Sequence, residues 1–146
     1  MKNASQASAI AAVIRRAVPE LEADIKTNIR DSRPAGRTYR RTAIVRKGNR
    51  NNSSLQLRER NGKKIVGFNF HRASAPGQPP AIDTGRLINS IRGQIVGQLH
   101  GRLTVGAAYG VVLDDPQGLN RPFFFSRVNL YRPIFFENIR KAFIGR

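Results

Sequence analysis

Ala75-Pro76-Gly77-Gln78-Pro79-Pro80 lies in the middle of the chain and cannot be regular structure. Its three prolines remove backbone donors and fix φ, so neither a helix nor an interior strand runs through it. The segment reads as a stiff connector. At 146 residues the chain is one domain's worth, enough for a modest core and too short for two ordinary domains. One fold must therefore carry the function.

From Ser5 to about Arg30, Ile10, Val13, Ile14, Ala17, Val18, Leu21, Ile25 and Ile29 recur at three and four positions, the stripe of an amphipathic helix. Pro19 lacks an amide hydrogen and its ring crowds the preceding turn, which predicts a kink, or a break with Pro19 in the first turn of a second helix.

Between Arg33 and Lys64 the chain carries eleven Arg or Lys against the single acid Glu59, which is +10 of the net +17. Two strand-like stretches, Arg37 to Arg46 and Ser54 to Arg60, flank a Gly, Asn and Ser-rich tip. Asn61-Gly62 is a strong hairpin signal, since a type I′ turn needs positive φ at both central residues. The two-residue turn sets Arg60 opposite Lys63, Leu57 beside Val66 and Leu55 beside Phe68 on one buried face, with Arg58 and Arg60 outward.

After the connector, Asp83 is placed to cap a short helix carrying Leu87, Ile88 and Ile91. Strands are predicted over Arg92 to Leu99 and Arg102 to Ala108, joined through His100-Gly101, with Val96 and Val105 paired. Tyr109 to Asp114 reads as a helical turn or two, ended by Pro116 to Gly118. Arg121 to Val128, with three consecutive Phe, reads as a buried strand. Pro133 to Ile144 reads as a helix with Pro133 in its first turn. The sum is an α+β domain spanning 1–146. It has a small, mostly antiparallel sheet, an N-terminal helix, a short central helix, a C-terminal helix, and a long basic β-hairpin excursion over about 37–70.

Charge and composition then narrow the function. A chain at +17 repels its own copies and attracts polyanions or acidic protein faces. Without Cys there is no disulfide scaffold, thiolate metal site or Cys nucleophile. Apolar runs such as Phe123 to Phe125 fall far below the roughly 20 residues that span a bilayer. The N-terminus lacks a signal-peptide core. Synthesis in a cytoplasm is the expectation. His71 and His100 stand in different elements, and no Walker loop, nucleophile elbow or zinc signature is present. Asp114-Asp115 could in principle hold magnesium, but adjacent acids before Pro116 read better as a solvated cap. No enzyme, cofactor or metal is expected.

The stretch Phe70-His71-Arg72-Ala73-Ser74-Ala75-Pro76-Gly77-Gln78-Pro79-Pro80-Ala81-Ile82-Asp83-Thr84-Gly85-Arg86-Leu87 resembles the hallmark segment of a phage neck and tail-completion family, named after gene product ten of phage HK-ninety-seven. Further pieces fall in that family's order: an N-terminal helix, Pro34-x-Gly36-Arg37-Thr38-Tyr39, Val105-Gly106-x-x-x-Tyr109, and Arg121-Pro122-Phe123 before the last helix. The resemblance covers nearly the whole chain. The sequence departs from the family's pattern in a long, basic insert from about Ile44 to Ile65 and in the link from Phe124 to Arg132.

The resemblance implies an α+β virion subunit at the head-to-tail joint, assembled in a host bacterium's cytoplasm. A homo-oligomeric ring of six or twelve copies would help form the channel through which DNA leaves. Its partners would be a connector, adaptor or head-closure ring, together with tail-tube or terminator proteins. Pro79, Pro80, Asp83, Thr84, Gly85 and Tyr39 are then candidates for ring or partner contact. Phe124 joins them because strand alternation would turn it away from Phe123 and Phe125. Most of the aromatics Phe123 to Phe125, Phe135, Phe136 and Phe143 are expected in the core.

Arg37, Arg40, Arg41, Arg46, Lys47, Arg50, Arg58 and Arg60 are candidates for contact with DNA phosphates or an acidic partner. The excursion carrying them either docks on an acidic connector surface, touches DNA transiently, or is simply solvated. A grip on six phosphates would give a log–log salt slope of about −5, too firm for a channel that must release DNA. Tyr39 among arginines suits stacking on a base or, better, a protein interface. The alternative function is a basic nucleic-acid-binding module, for instance one associated with ribosomes. A phosphodiesterase built on Asp114 and Asp115 is a third reading that lacks its metal site.

Overall fold

The computed structural model describes residues 2–40, 57–60, 63–66 and 70–144, with side chains for 6–39 and 70–144. Helix α1 (Lys2–Arg30) is followed by β1 (Thr38–Arg40), β2 (Leu57–Arg60), β3 (Lys63–Val66) and β4 (Phe70–Arg72). Then come α2 (Arg86–Ser90), β5 (Ile91–Gly97), β6 (His100–Val105), α3 (Gly110–Asp114) and α4 (Phe125–Ile144). The chain is α+β, as its patterning predicts. The described strands pair as three separate antiparallel ladders, β1 with β4, β2 with β3 and β5 with β6, and not as one sheet.

The predicted apolar stripe forms one helix, and no break occurs at Pro19. Packing on both sides of the proline explains its continuity. Val13, Ala17 and Glu20 line a cleft with Tyr131 and Ala142 of α4, while Ile14 and Val18 meet the β5–β6 hairpin at Gly101. Two stripes of α1 are thus covered by different partners, and tertiary contact outweighs the one backbone hydrogen bond that Pro19 deletes.

The hairpin rests so closely on α1 that a Cβ added at Gly93 would lie 2.7 Å from Val18 Cγ1. Glycine in a strand is here the condition for backbone to touch a helix. The Glu22 carboxylate fastens the contact, accepting from the Gly93 amide at 2.6 Å while paired with Lys26. The register differs from expectation: Ile91 pairs with Val105 and Gly97 with His100, with an irregularity between Ile95 and Gly97 that displaces Val96 from the ladder. The turn is therefore Gln98-Leu99. The register that forms puts Leu103 and Val105 inward, and Ile91 is fully buried. Pairing Val96 with Val105 would lose that placement.

Ile25, Ile29, Leu87, Ile88, Ile91, Ala107 and Phe123 make the buried core, with Leu21, Leu103, Val105, Leu113 and Phe124 packed on it. Burying one such large side chain contributes about 1.5–3 kcal/mol. Ile91, expected in the short helix, instead opens β5.

Residues Phe123 and Phe124 precede α4, and Phe125 starts it, so the expected strand over Arg121 to Val128 does not form. The reason is Asp114. Its Oδ1 accepts from the amides of Phe123 at 2.8 Å and Phe124 at 3.1 Å, and its Oδ2 from Phe125 at 2.9 Å. A carboxylate holding three orphan amides starts the helix there and complements its dipole. Asp114 is thus a structural cap and not the solvated one the sequence suggested. Pro133 falls inside α4 instead of in its first turn. α4 docks on α1 through the Arg127–Asp24 ion pair, at 2.7 Å from Nε to Oδ2, and the Tyr131 hydroxyl, which donates to Glu20 at 2.7 Å. Burial and the bond to Glu20 push the Tyr131 phenol up to about 12.

Of the six C-terminal phenylalanines only Phe123 is buried; Phe125, Phe136 and Phe143 are exposed. The expectation that most belong to the core fails, because α4 turns its polar residues Arg127 and Tyr131 toward α1. β2 and β3 pair with Leu57 opposite Val66 and Arg60 opposite Lys63. The expected Leu55–Phe68 pair and the tip of the excursion lie outside the described residues.

Candidate functional site

β1 and β4 bring residues 38–40 and 70–72 together, with Tyr39 directly opposite His71. The two rings meet edge to face, centroids 5.3 Å apart. The strands continue into a second contact: Gly36 donates to Ala73 O at 2.8 Å, and Ala73 donates to Arg37 O at 3.0 Å. A Cβ on Gly36 would lie 2.5 Å from Ser74 O, so only glycine allows this approach.

The proline-rich segment is tied down by its own polar atoms. Gln78 Oε1 accepts from Ala75 at 2.9 Å and Ala35 at 3.1 Å, and Ser32 Oγ donates to Pro79 O at 3.1 Å. Gly77, at φ +81°, donates to Asn120 O at 2.6 Å. Arg121 Nη1 donates to both the carbonyl and the hydroxyl of buried Ser74. Arg121 Nε is buried without a partner among the described residues, a costly state for a donor on a charged group.

These segments enclose an open cavity of about 420 Å³. Ile29, Leu87, Ile88 and Leu113 give it apolar lining, and Tyr39, His71, Asp83, Thr84, Arg86, Tyr109 and Arg121 give it polar lining. Asp83 Oδ1 stands 3.7 Å from His71 Nδ1. Asp83 is not the expected helix cap: the cap position is Gly85, at φ +74°, and the Arg86 amide donates to Thr84 Oγ1 at 3.3 Å. The left-handed Gly85 sets the turn into α2 and carries the Asp83 side chain toward β4 instead.

Of the predicted contact residues, Tyr39, Pro80, Asp83, Thr84 and Gly85 all line this cavity, and Pro79 anchors its rim. Phe124 does not; it is partly buried against the core, stacked edge to face between Phe123 and Phe125. Its selection rested on strand alternation, which the start of α4 removes. Arg37 is exposed beside the cavity strands, Arg40 pairs with Phe70 in the ladder, and Arg58 and Arg60 lie in β2. Arg41, Arg46, Lys47 and Arg50 lie outside the described residues. Sequence reasoning missed the places of His71 and Arg121 at this site. Alternation opposite Tyr39 could have found His71, whereas nothing local to Arg121-Pro122-Phe123 pairs Arg121 with Ser74, 47 residues away.

Among the described residues no group of three or more His, Cys, Asp or Glu is placed to hold a metal, and no helix is long and apolar enough to cross a membrane. An apolar cleft bordered by tyrosine, arginine and histidine suits insertion of a side chain from another protein segment. No family model, curated protein or solved structure matches the chain.

Proposed function

We propose that this chain is a structural subunit of the head-to-tail joint of a tailed bacteriophage, assembling as a ring around the DNA exit channel and performing no catalysis. What supports this reading is a convergence. The pieces that resemble the neck and tail-completion family are scattered through the sequence: Pro34-x-Gly36, residues 70–87, Tyr109, and Arg121-Pro122-Phe123. His71, Ala73, Ser74 and residues 80–87 line one cavity with Tyr109 and Arg121, Gly36 is bonded to Ala73 at its edge, and Arg121 holds Ser74. The proline-rich segment is then a rigid wall of a docking cleft. The basic excursion over about 37–70, whose ends pair in the β1–β4 ladder beside this cleft, would by its charge steer toward an acidic ring or, transiently, the DNA in the channel.

The test is localisation in purified particles of the phage that encodes the chain. Antibody labelling viewed by electron microscopy should mark a single site between head and tail. Absence of the chain from the particles overturns the proposal.

A second reading as a nucleic-acid-binding module draws on exposed Tyr39 beside Arg37. It requires tight DNA or RNA binding with a steep salt dependence.

A further inference from the structure

The ring reading leaves open how one copy meets the next, and two exposed surfaces of opposite character answer it. Residues 103–120 contain no Lys or Arg in a chain that has 26. Within this stretch α3 and its following turn expose Val111 (79%), Val112 (53%) and Leu119 (48%), beside Asp114 and the exposed Asp115. It is an acidic, apolar knob on a basic protein.

The second surface is the C-terminal half of α4. Arg132, Phe136, Arg140 and Phe143 follow one another at four, four and three residues, which places them on one helix face. All four are exposed, Phe136 at 55% and Phe143 at 58%. The Arg132 guanidinium lies 5.7 Å from the Phe136 ring centroid, and Arg140 is paired with Glu137 at 3.0 Å. The row is aromatic and rimmed by cations.

The knob and the row lie at opposite ends of the same helix. Asp114 holds α3 against the first residues of α4, while Phe136 and Phe143 come 11 and 18 residues after Phe125. At 1.5 Å per residue the separation along the axis is about 16–27 Å, so the knob does not cover its own chain's row. Two complementary patches at different places on one molecule make a heterologous contact, the kind that closes into a ring when the rotation allows.

We propose that copies of this chain join head to tail, the acidic knob of α3 in one copy seating on the aromatic, basic row of α4 in the next. A two-fold contact of row against row would oppose like charges. A contact of knob against row buries apolar area and pairs Asp115 with arginine. This proposal rests on the ring reading above.

Because the chain has no Cys, single-cysteine variants report the contact cleanly. Val112→Cys and Phe143→Cys chains are mixed at high concentration in about 0.5 M salt, where the Debye length of about 4 Å screens the net charge, and mildly oxidised. The expected result is a mixed dimer at least about tenfold above either homodimer, and a chain carrying both cysteines should give a ladder of multimers. Val96→Cys, on the exposed bulge of the β5–β6 hairpin, is the control and should link at random with either. A mixed dimer at the statistical twofold level, or an excess of either homodimer, overturns the proposal. Circular dichroism checks that each variant is folded, and Leu119→Cys replaces Val112→Cys should the latter unfold. If the contact fails while the chain is present at the joint of purified particles, the neck reading stands with a different interface. If the chain is absent from particles, that reading fails on its own.

Discussion

Gly36 shows how one residue decides the geometry of the candidate site. A methyl group there meets the Ser74 and Ala73 carbonyls at 2.5 and 2.7 Å, both of them backbone atoms that cannot step aside alone. Gly36→Ala should therefore lower unfolding free energy by about 1–3 kcal/mol in urea titrations, as overpacking does. It should also separate Tyr39 from His71. Glu22 makes a different prediction. Its hydrogen bond to Lys26, aided by the Gly93 amide and opposed by burial, holds its carboxyl below the usual range. A depressed carboxylate adds stability above its unfolded pKa of about 4.3 and loses it as pH falls through the lower folded value. Glu22→Gln should lower the melting temperature at pH 6, and the difference from the natural chain should shrink as pH drops below about 4. At this scale the sequence was informative where a residue's constraint is local. Asn61-Gly62 gave the Arg60–Lys63 and Leu57–Val66 pairs. The Gly36 approach and the Arg121–Ser74 clamp join residues 37 to 47 apart in sequence, and no spacing announces them.

Among the elements, α1 and the single turn of α3 were legible because periodicity and a following Pro-Gly turn specify them without help. The start of α4 was not. Its cap comes from Asp114, separated from Phe125 by a turn and a Pro, so the three phenylalanines looked like a strand when read alone. Asp114→Ala should cost about 1–2 kcal/mol and fray the first turn of α4, measurable by urea unfolding and by amide exchange at Phe124 and Phe125. Asp115→Asn, which removes an exposed charge beside it, should change stability by less than about 0.5 kcal/mol. The β5–β6 register was misread for a related reason. Two valines suggested a pair, whereas contact with α1 selects the register that buries Ile91 and brings Gly93 and Gly101 onto Val18.

Among the described residues the acids are few and mostly engaged within the chain. Glu20, Glu22, Asp24 and Glu137 each pair with a Lys or Arg, and Asp114 caps α4. Most Lys and Arg side chains among the described residues are exposed. If the proposed neck function holds, the chain should bind duplex DNA weakly at about 0.15 M salt, with a log–log salt slope well short of the −5 or so of a six-phosphate grip. Fluorescence anisotropy with a labelled duplex would read both, and a steep slope with tight binding would favour the nucleic-acid module instead. The α+β class could be anticipated from the sequence, and residues 79–85 stood out there as a stiff segment entering a short helix. The cleft they form with Tyr109 and Arg121 could not, because it depends on Arg121 reaching Ser74 and on Gly77 reaching Asn120 across the fold. Electron microscopy of lysates from the encoding phage with this gene silenced should show separate heads and finished tails; joined, intact particles would contradict the neck assignment.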